Sequence, residues 1–401
     1  MTEIKKIDRA LCRFSVFRGL FDTPVFRKFF AYAEAEAGSE DKLNAYGTLV
    51  SEIYEGGGSL AACVRRALFE DENVYVRAIA KGGEVNAAIE AATKHELEIL
   101  SAFASLAPAD FAKDMEENDF LPAFESEKVD LAAEYGERVE SIGRYGYGIF
   151  ASYGMFSVDN DGHIKPIESA DDTSIDSFIG YAAERQRVMA NTEAFLAGRP
   201  AANVLLYGDA GTGKSSTVKA IANHLFDRGL RLIELRKNQL LLLPKVMGEI
   251  GRNPLKFIIF IDDLSFNNND DQFSMLKATL EGSASAKAPN AVIYATSNRR
   301  HLVQETFQSR QGDEIHISDT LEEVSSLSAR FGIVITFGRP NKDLYLSVAE
   351  KLAEQAGLTP DETLFKEAEA YALRAGGRSP RVARQYIEYK IAMNCDTSCA
   401  K

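Results

Sequence analysis

The amino-acid sequence predicts an α/β protein: a parallel sheet with flanking helices, preceded by a helical N-terminal region and followed by a small helical lid. Two observations support this fold class. After about residue 175, short and continuously apolar runs alternate with helical segments. Such runs indicate strands buried on both faces, as in a parallel sheet covered by helices. Residues 1–142, and those after Pro340, instead have apolar positions at helical spacing.

Changes in composition divide the chain into five predicted segments. They are a helical N-terminal region (1–142), a Gly/Tyr segment with a hairpin and linker (143–174), an α/β core (175–339), a helical lid (340–390) and a polar tail (391–401). In the first segment, the spacing of Leu97, Leu100, Phe103 and Leu106 predicts a helix that Pro108 ends.

Seven runs are predicted to be strands, and the turn sequence at 159–162 predicts that the first two form a hairpin. The predicted strands are Met155–Val158, His163–Ile167, Asn203–Tyr207, Leu230–Leu235, Phe257–Ile261, Ala291–Ala295 and Ile333–Phe337. A helix is predicted over Ser215–Phe226, directly after the third strand.

Composition and charge exclude several classes of protein. Of 401 residues, 45% are hydrophobic and 26% are charged, so the chain can bury substantial cores and is not predominantly disordered. Lys and Arg number 46 against 59 Asp and Glu, and the net charge of −13 disfavours non-specific binding to DNA or anionic membranes. No run approaches the roughly 20 apolar residues of a membrane span. Charged residues near the N-terminus also differ from a secretory signal, so a cytoplasmic protein is expected.

Cysteine and histidine usage gives no metal-ligand pattern. Cys12, Cys63, Cys395 and Cys399 are scattered, and no histidine lies near the last pair. We therefore expect reduced thiols, and the sequence argues against a metalloenzyme with Cys or His ligands.

A complete phosphate-binding motif, G-x-x-x-x-G-K-[ST], lies between a predicted strand and a predicted helix. Its residues, with the serine that follows, are Gly208, Asp209, Ala210, Gly211, Thr212, Gly213, Lys214, Ser215 and Ser216. Glycines let successive N–H groups point at phosphate oxygens, and the helix N-terminus adds the positive end of its dipole. We expect Lys214 to reach the β- and γ-phosphates, Ser215 to ligate Mg²⁺ and Ser216 to contact the α-phosphate.

Two acidic residues, Asp262 and Asp263, follow the apolar run Phe257–Ile261. Strand carboxyl ends in open α/β sheets face the ligand crevice, so these carboxylates are expected beside the phosphates. Asp262 would hold Mg²⁺, directly or through water. Asp263 would orient or deprotonate an attacking water.

From roughly Ile175 to Lys390, the sequence resembles the AAA+ ATPases, which are phosphate-loop NTPases. The segment Phe178-Ile179-Gly180-Tyr181 resembles the box that lines the adenine pocket in that family, and Ala295-Thr296-Ser297-Asn298 stands where the family keeps a polar sensor. The resemblance implies adenine contacts from Ile179, Gly180 and Tyr181 and a sensor role for Asn298. It also implies ATP as the nucleotide and a homo-oligomer. The alternative for Asn298 is a strand-end cap.

Two arginines complete the resemblance. Arg330, in Leu327-Ser328-Ala329-Arg330-Phe331-Gly332, would be the finger delivered to a neighbouring subunit; the alternative is an intramolecular ion pair. Arg381, in Gly377-Arg378-Ser379-Pro380-Arg381, would be the second sensor on the lid. Ser379 and Pro380 predict a helix start, where a cation opposes the dipole by roughly 0.3–1 kcal/mol unless an anion is nearby. A solvated arginine is the alternative for this position.

Within that superfamily, the sequence resembles the bacterial DUF815 family of AAA+-like ATP-binding proteins. The resemblance is carried by Tyr147-Gly148-Ile149-Phe150, Ile179-Gly180-Tyr181, the run 203–208, the run 261–266 and the run 294–302. It implies ATP binding but does not imply a particular biological role.

Two departures from the AAA+ pattern affect the expected activity. Asp263 stands where most members have Glu, and a displacement of about 1 Å can cost on the order of 10²-fold in rate. Slow turnover or a nucleotide-gated switch is therefore an alternative to efficient hydrolysis. No aromatic-apolar-Gly pore loop is present, and Leu240–Leu243 is predicted to be core, so peptide threading is disfavoured.

Three functions follow from the sequence. The first is an Mg²⁺-dependent ATPase that remodels or loads a macromolecular partner, a protein in preference to DNA. The second is a binding module gated by ATP with little or no hydrolysis. The third, a GTPase or phosphotransferase, is disfavoured because a guanine-specific Asn-Lys-x-Asp run is missing. Aromatic residues between Phe14 and Phe30, interleaved with basic ones, predict an amphipathic helix pair in a core or partner groove rather than a base-stacking surface.

Overall fold

The computed structural model describes residues 2–115, 121–169, 173–264, 271–281, 288–298 and 329–398. The chain divides into two units. The N-terminal unit comprises Met1–Tyr153 with Arg252–Leu255, and the sheet unit comprises Gly154–Gly251 with Lys256–Lys401. None of the helices described is both long and apolar enough to cross a membrane.

Helices build the N-terminal unit, and many of them begin where the sequence supplies a capping side chain. Helices α1 to α9 span Glu3–Leu11, Pro24–Glu34, Glu40–Glu55, Leu60–Glu70, Val74–Ala80, Ala87–Ala104, Pro108–Ala112, Leu131–Glu140 and Ile142–Tyr145. Ser39, Ser59 and Asn73 each accept an N–H group from the first turn of the helix that follows. These bonds satisfy donors that a helix start leaves without an intrahelical partner.

Aromatic side chains fill the core of the N-terminal unit. Phe26 and Phe29 both pack against Phe103, with ring centroids 5.0 and 4.5 Å apart. Phe14, Phe17, Phe26 and Phe29 are all buried. The predicted amphipathic packing of the N-terminal aromatics is thus confirmed, because these rings are core residues and not a base-stacking surface.

One seven-stranded sheet organises the second unit. Strands β1 to β7 span Met155–Val158, Ile164–Pro166, Val204–Gly208, Leu230–Glu234, Lys256–Ile261, Ala291–Asn298 and Ile333–Phe337. Their spatial order is β2-β1-β4-β5-β6-β3-β7, and every neighbouring pair is parallel except β1 with β2. The predicted α/β fold with a largely parallel sheet is therefore confirmed.

The register of the sheet brings the ends of sequence-distant strands together. Gly208 at the end of β3 pairs with Asn298 in β6 on one side and with Phe337 in β7 on the other. In the neighbouring pair, Ile261 at the end of β5 lies opposite Ala295. The phosphate loop and the two acidic residues consequently leave the sheet at one edge, as expected for parallel strands.

Helices of the sheet unit cover the sheet and form a separate C-terminal cluster. Helices α10 to α16 span Ala182–Leu196, Lys214–His224, Leu243–Ile250, Asp271–Leu280, Lys342–Gln355, Glu362–Arg374 and Pro380–Ser398. Side chains of α10 and α11, such as Val188 and Ile221, share a buried cluster with alternate residues of the strands. The last three helices have their own apolar core, which contains Tyr345 and Tyr386.

Some details of the sheet unit differ from the sequence prediction. The hairpin β1–β2 is present, but it extends the main sheet because β1 pairs in parallel with β4. Helix α16 continues to Ser398, beyond the predicted lid boundary, since residues 391–398 contain neither Gly nor Pro. In the predicted core segment, Leu240 and Leu243 are buried whereas Leu241 is half exposed.

Candidate functional site

The phosphate loop connects β3 to α11, and its glycines adopt backbone conformations that other residues avoid. Gly208, Gly211 and Gly213 have φ values of +146°, +76° and +90°. At Gly208, a Cβ atom would lie 2.0 Å from the carbonyl oxygen of Phe337, which also accepts the Asp209 N–H at 3.2 Å. This close contact with β7 requires glycine at the first position of the motif.

Lys214 lies in the phosphate loop with only 6% of its surface exposed. Its Nζ donates to the carbonyl oxygens of Gly208 and Asp209, at 3.0 and 2.8 Å, and to Oδ1 of Asn298 at 3.2 Å. Burial lowers the pKa of the Lys214 ammonium, and nearby aspartates oppose that shift. All three acceptors are uncharged, so the oxygens of a phosphate can compete for this ammonium through stronger, charge-assisted hydrogen bonds.

The first acidic residue joins the phosphate loop to strand β6. Oδ1 of Asp262 accepts the hydroxyl of Ser215 at 2.6 Å and the hydroxyl of Thr296 at 2.5 Å. Ser215 is the second residue of α11, whereas Thr296 lies near the end of β6. The predicted pair of magnesium ligands, Ser215 and Asp262, is therefore in direct contact.

The second acidic residue has an unusual backbone conformation. Asp263 has a φ of +53°, in the left-handed region that residues with a Cβ atom seldom occupy. Its N–H donates to Oγ1 of Thr296 at 2.9 Å, and its Oδ1 accepts Nδ2 of Asn298 at 2.7 Å. Since Asn298 also accepts from Lys214, a continuous chain of hydrogen bonds runs from Lys214 through Asn298 to Asp263.

The three residues predicted to contact the base have different environments. Ile179 lines the cavity beside the phosphate loop. A Cβ atom at Gly180 would lie 2.7 Å from Cδ1 of Leu344 in α14. Tyr181 donates its hydroxyl to the carbonyl oxygen of Gly338 at 2.6 Å, and burial raises the pKa of this tyrosine to about 12. Gly180 therefore packs against α14, and Tyr181 binds the segment just before it. Neither residue is among those that line the cavity.

The predicted lid arginine lies at the start of α16, directly against the phosphate loop. Ser379 accepts the N–H of Val382 at 3.2 Å, which is the expected N-cap bond. The backbone N–H of Arg381 donates to the carbonyl oxygen of Gly211 at 3.3 Å. A Cβ atom at Gly211 would approach both Ser379 and Arg381 to 3.0 Å, so this contact too depends on glycine.

The predicted finger residue lies outside the cavity lining. Arg330 forms an ion pair with Glu281, with Nε and Nη2 at 2.6 and 2.5 Å from Oε1. Of the segments that carry the predicted family resemblance, residues 265–266, 299–302 and 327–328 lie outside the described residues. Arg378, within the predicted lid motif, pairs with Glu369.

These elements surround a cavity of about 520 Å³. Phosphate-loop residues that line it are Ala210, Gly211, Thr212, Gly213, Lys214, Ser215 and Ser216. Its charged lining residues are Arg185, Lys214, Arg381, Arg384, Asp262 and Asp263, so cations outnumber carboxylates in the part of the lining that the structure describes. The volume lies within the range of small-molecule sites, and the excess positive charge suits an anion.

Two contributors to the site were not assigned a role from the sequence. Thr296 contacts both acidic residues, and only its position opposite β5 in a parallel sheet could have indicated this. Arg185 lines the cavity with its guanidinium 5.3 Å from the ring centroid of Phe178, and burial lowers its pKa. The position of Arg185 one helical turn after the Phe178–Tyr181 segment is the signal that could have suggested it.

The largely parallel strand order, the phosphate loop and the acidic residues at the end of β5 define an α/β phosphate-loop protein. A family model described as "Protein of unknown function (DUF815)" matches residues 151–394. The chain belongs to the DUF815 family.

Comparison with solved structures gives similarity to two mutants of RuvB from Thermotoga maritima. Sequence identity is 17% for one and 16% for the other, and the TM-score is 0.37 for both. The matched region covers 54% of this chain and 63% of each RuvB chain, so less than two thirds of RuvB is represented. No curated protein matches the sequence.

Proposed function

We propose that the protein binds ATP with Mg²⁺ in the cavity of the sheet unit and hydrolyses ATP to remodel or load a macromolecular partner, a protein rather than DNA. One observation supports this proposal above the others: a buried lysine, a Ser–Asp oxygen pair and a second carboxylate converge on one cationic cavity. Lysine and glycine-loop N–H groups bind phosphates, and carboxylates beside them support metal binding and activation of water.

The donor set suits Mg²⁺, which prefers oxygen ligands and retains several waters. Ser215 Oγ and Asp262 Oδ1 are 2.6 Å apart, so both can serve one ion. Ser215 and Asp262 would hold the ion, and the bound ion would neutralise charge on the β- and γ-phosphates. The Ser215 hydroxyl can keep donating to Asp262 while its oxygen lone pair faces the metal.

The remaining polar groups divide the work of hydrolysis. Lys214 would exchange the carbonyls of Gly208 and Asp209 for phosphate oxygens. Asp263 would accept a proton from, or orient, the attacking water, and Asn298 would hold that carboxylate. Arg381 would add positive charge at the helix start beside Gly211.

A second candidate function is a nucleotide-gated binding module. It is favoured by the short side chain of Asp263 and by the hydrogen bond that ties its carboxylate to Asn298. With the Asp263 carboxylate held in this way, the site would bind nucleotide normally, but the carboxylate would deprotonate water poorly.

Calorimetry and phosphate-release assays separate the two candidates. The ATPase proposal expects ATP binding that Mg²⁺ strengthens, together with phosphate release above the blank. Tight binding with no release would favour the gated module, and no affinity for ATP at millimolar concentration would overturn both. Competition between ATP and GTP tests whether the site prefers adenine or guanine.

The proposal includes a homo-oligomer in which Arg330 reaches the nucleotide of a neighbouring subunit. Light scattering with and without ATP tests assembly, and turnover per subunit should rise with protein concentration. Arg330→Ala should then lower turnover at least about 10-fold. Glu281→Gln is the matched control, because it breaks the same ion pair but keeps the guanidinium. Equal effects of both substitutions, or a monomer with concentration-independent turnover, would remove the finger role.

A further inference from the structure

We infer that Thr296 is a positioning residue for ATP hydrolysis, whose hydroxyl fixes the two consecutive acidic residues relative to each other and to the phosphate loop. This inference rests on the proposed ATPase function and deepens it. Thr296 lies in the same segment as Asn298 but has no role assigned from the sequence, and it would act through Asp262 and Asp263 rather than on the nucleotide.

Thr296 contacts three consecutive residues at the end of β5. Its Oγ1 donates to Oδ1 of Asp262 at 2.5 Å and accepts the N–H of Asp263 at 2.9 Å. Its carbonyl oxygen accepts the N–H of Leu264 at 2.7 Å. A hydroxyl group can donate and accept at the same time, so one side chain orients a carboxylate and a backbone amide together.

The backbone of Asp263 explains why such an anchor is needed. Its left-handed conformation, with φ of +53°, is uncommon for a residue with a Cβ atom and persists only when surrounding bonds hold it. Here the N–H groups of Asp263 and Leu264 both point to Thr296. The turn directs the Asp263 carboxylate to Asn298, at 2.7 Å, which in turn contacts Lys214.

The consequence for catalysis differs from the consequence for binding. Without the hydroxyl, Asp262 keeps its bond from Ser215 but loses the bond from β6, and Asp263 loses its backbone anchor. Displacement of a reacting group by about 1 Å can cost on the order of 10²-fold in rate. Thr296 also lines the cavity, but none of its hydrogen bonds goes to the phosphate loop, and the bond from Ser215 to Asp262 remains, so ATP affinity should change little.

A matched set of variants tests the inference. Thr296→Val removes the hydroxyl at similar volume, and Thr296→Ser keeps the hydroxyl while removing a methyl group. Thr192→Val is the control, because Thr192 is also fully buried and its hydroxyl bonds to the Val188 carbonyl and the Tyr294 hydroxyl, away from the acids. Thr296→Ala is the additional variant should the valine fail to fold.

We expect Thr296→Val and Thr296→Ala to lower kcat about 10- to 100-fold, with KM and the Kd for ATP within about 3-fold of wild type. The serine variant should retain kcat within about 3-fold, as should Thr192→Val. The Mg²⁺ concentration for half-maximal turnover should rise in the valine variant, because Asp262 loses one of its two hydroxyl partners.

Two results would overturn the inference while the ATPase proposal stands. One is an active wild type with unchanged kcat in both hydroxyl-free variants. The other is an equal loss in Thr296→Ser, since packing alone would then explain the effect. Absence of phosphate release from the wild type would instead overturn the ATPase proposal, and this inference with it.

Discussion

Two lysines in different units of the molecule are almost completely buried, yet their surroundings indicate different uses of a buried cation. Lys42, in α3, is 1% exposed, and Lys214, at the start of α11, is 6% exposed. Both ammonium groups donate to two backbone carbonyl oxygens, and burial lowers the pKa of both. Neither burial nor a shifted pKa therefore distinguishes a binding lysine from a structural one.

Their environments differ in what lies beyond those carbonyls. Lys42 donates to Tyr32 and Ala35 at the C-terminal end of α2, and its Nζ lies 3.9 Å from the Tyr32 ring centroid. A cation is favourable at that end of a helix. Lys214 instead begins a helix, where its charge opposes the dipole, and it borders a cavity. A lysine in that unfavourable position is explained if an anion binds beside it.

The largest effect that this comparison predicts follows from replacing Lys214. Lys214→Ala should lower ATP affinity or hydrolysis by at least about 100-fold, since it removes the buried cation that would stabilise the phosphates. The free energy of unfolding should fall less than in Lys42→Met, because the loss of the Lys214 hydrogen bonds is offset by removal of a charge that opposes the dipole of α11. Calorimetry, phosphate release and urea unfolding measure the three quantities.

Lys219→Ala is the matched control for this experiment. Lys219 is on the same helix but pairs with Glu234 at 3.2 Å, and it is not among the cavity-lining residues. Equal losses of affinity in both variants would show that the helix, and not the Lys214 ammonium, is what matters.

The next largest effect is expected at Asp263, the proposed general base. Asp263→Asn should keep ATP affinity within a few-fold but slow hydrolysis by about 10²-fold or more, because an amide cannot accept the proton of water. Asparagine tolerates the left-handed backbone well, so the turn should persist. The exposed Asp161 in the β1–β2 turn provides the control, Asp161→Asn. Hydrolysis unaffected by Asp263→Asn would assign the base to another group.

A smaller and purely structural effect is expected at Lys42. Lys42→Met leaves the Tyr32 and Ala35 carbonyls without this donor and should reduce the free energy of unfolding by about 1–3 kcal/mol. Lys94→Met, at an exposed position of α6, should change it little. Urea unfolding measures both. A loss of ATPase activity in folded Lys42→Met would break the distinction between the two lysines.

The smallest predicted effect is the titration of Tyr46 at alkaline pH. Tyr46 donates to the Pro122 carbonyl at 2.8 Å, and burial raises its pKa to about 12 from an ordinary value near 10. The unfolded chain therefore loses this proton first, and its contribution to stability is lost as the pH rises from 10 to about 12. The lowered pKa of Lys42 acts with the opposite sign just below its ordinary value of 10.5.

Tyr46→Phe isolates the contribution of the Tyr46 hydroxyl to the free energy of unfolding. It should cost about 1 kcal/mol at neutral pH, from the lost hydrogen bond. Between pH 10 and about 12, unfolding of the variant should release one proton fewer than unfolding of the wild type. Its free energy of unfolding should therefore fall less steeply as the pH rises. Urea unfolding of wild type and variant at several pH values between 9 and 12 checks this. Parallel curves over that range would contradict the assignment of the shift to Tyr46.

Local sequence patterns predicted most of the fold and the centre of the site. Strand β7 has the predicted bounds, and β3, β4 and β5 begin or end within one residue of them. The phosphate loop and Asp262 were predicted to lie together, and the Ser215–Asp262 contact agrees with that. Such predictions succeed because burial on both faces of a strand and the glycine requirement of a loop are properties of consecutive residues.

Contacts between distant parts of the chain were predicted less well. Three such contacts cannot be recognised from neighbouring residues. They are the pairing of β1 with β4, the ion pair of Arg330 with Glu281 and the hydrogen bond from Tyr181 to Gly338. Each depends on which backbone segments are brought together, over separations of 49 residues for the ion pair and 157 for the tyrosine bond.

The sequence by itself determined that a glycine-rich loop joins an apolar strand to a helix and that two acids follow another strand. Only the tertiary structure decided that the hydroxyl of Thr296 joins those acids and that Asn298 connects them to Lys214. The physical reason is the sheet register. Pairing of Gly208 with Asn298 and of Ile261 with Ala295 sets which side chains meet at the edge, and register follows from the packing of the whole sheet rather than from any one strand.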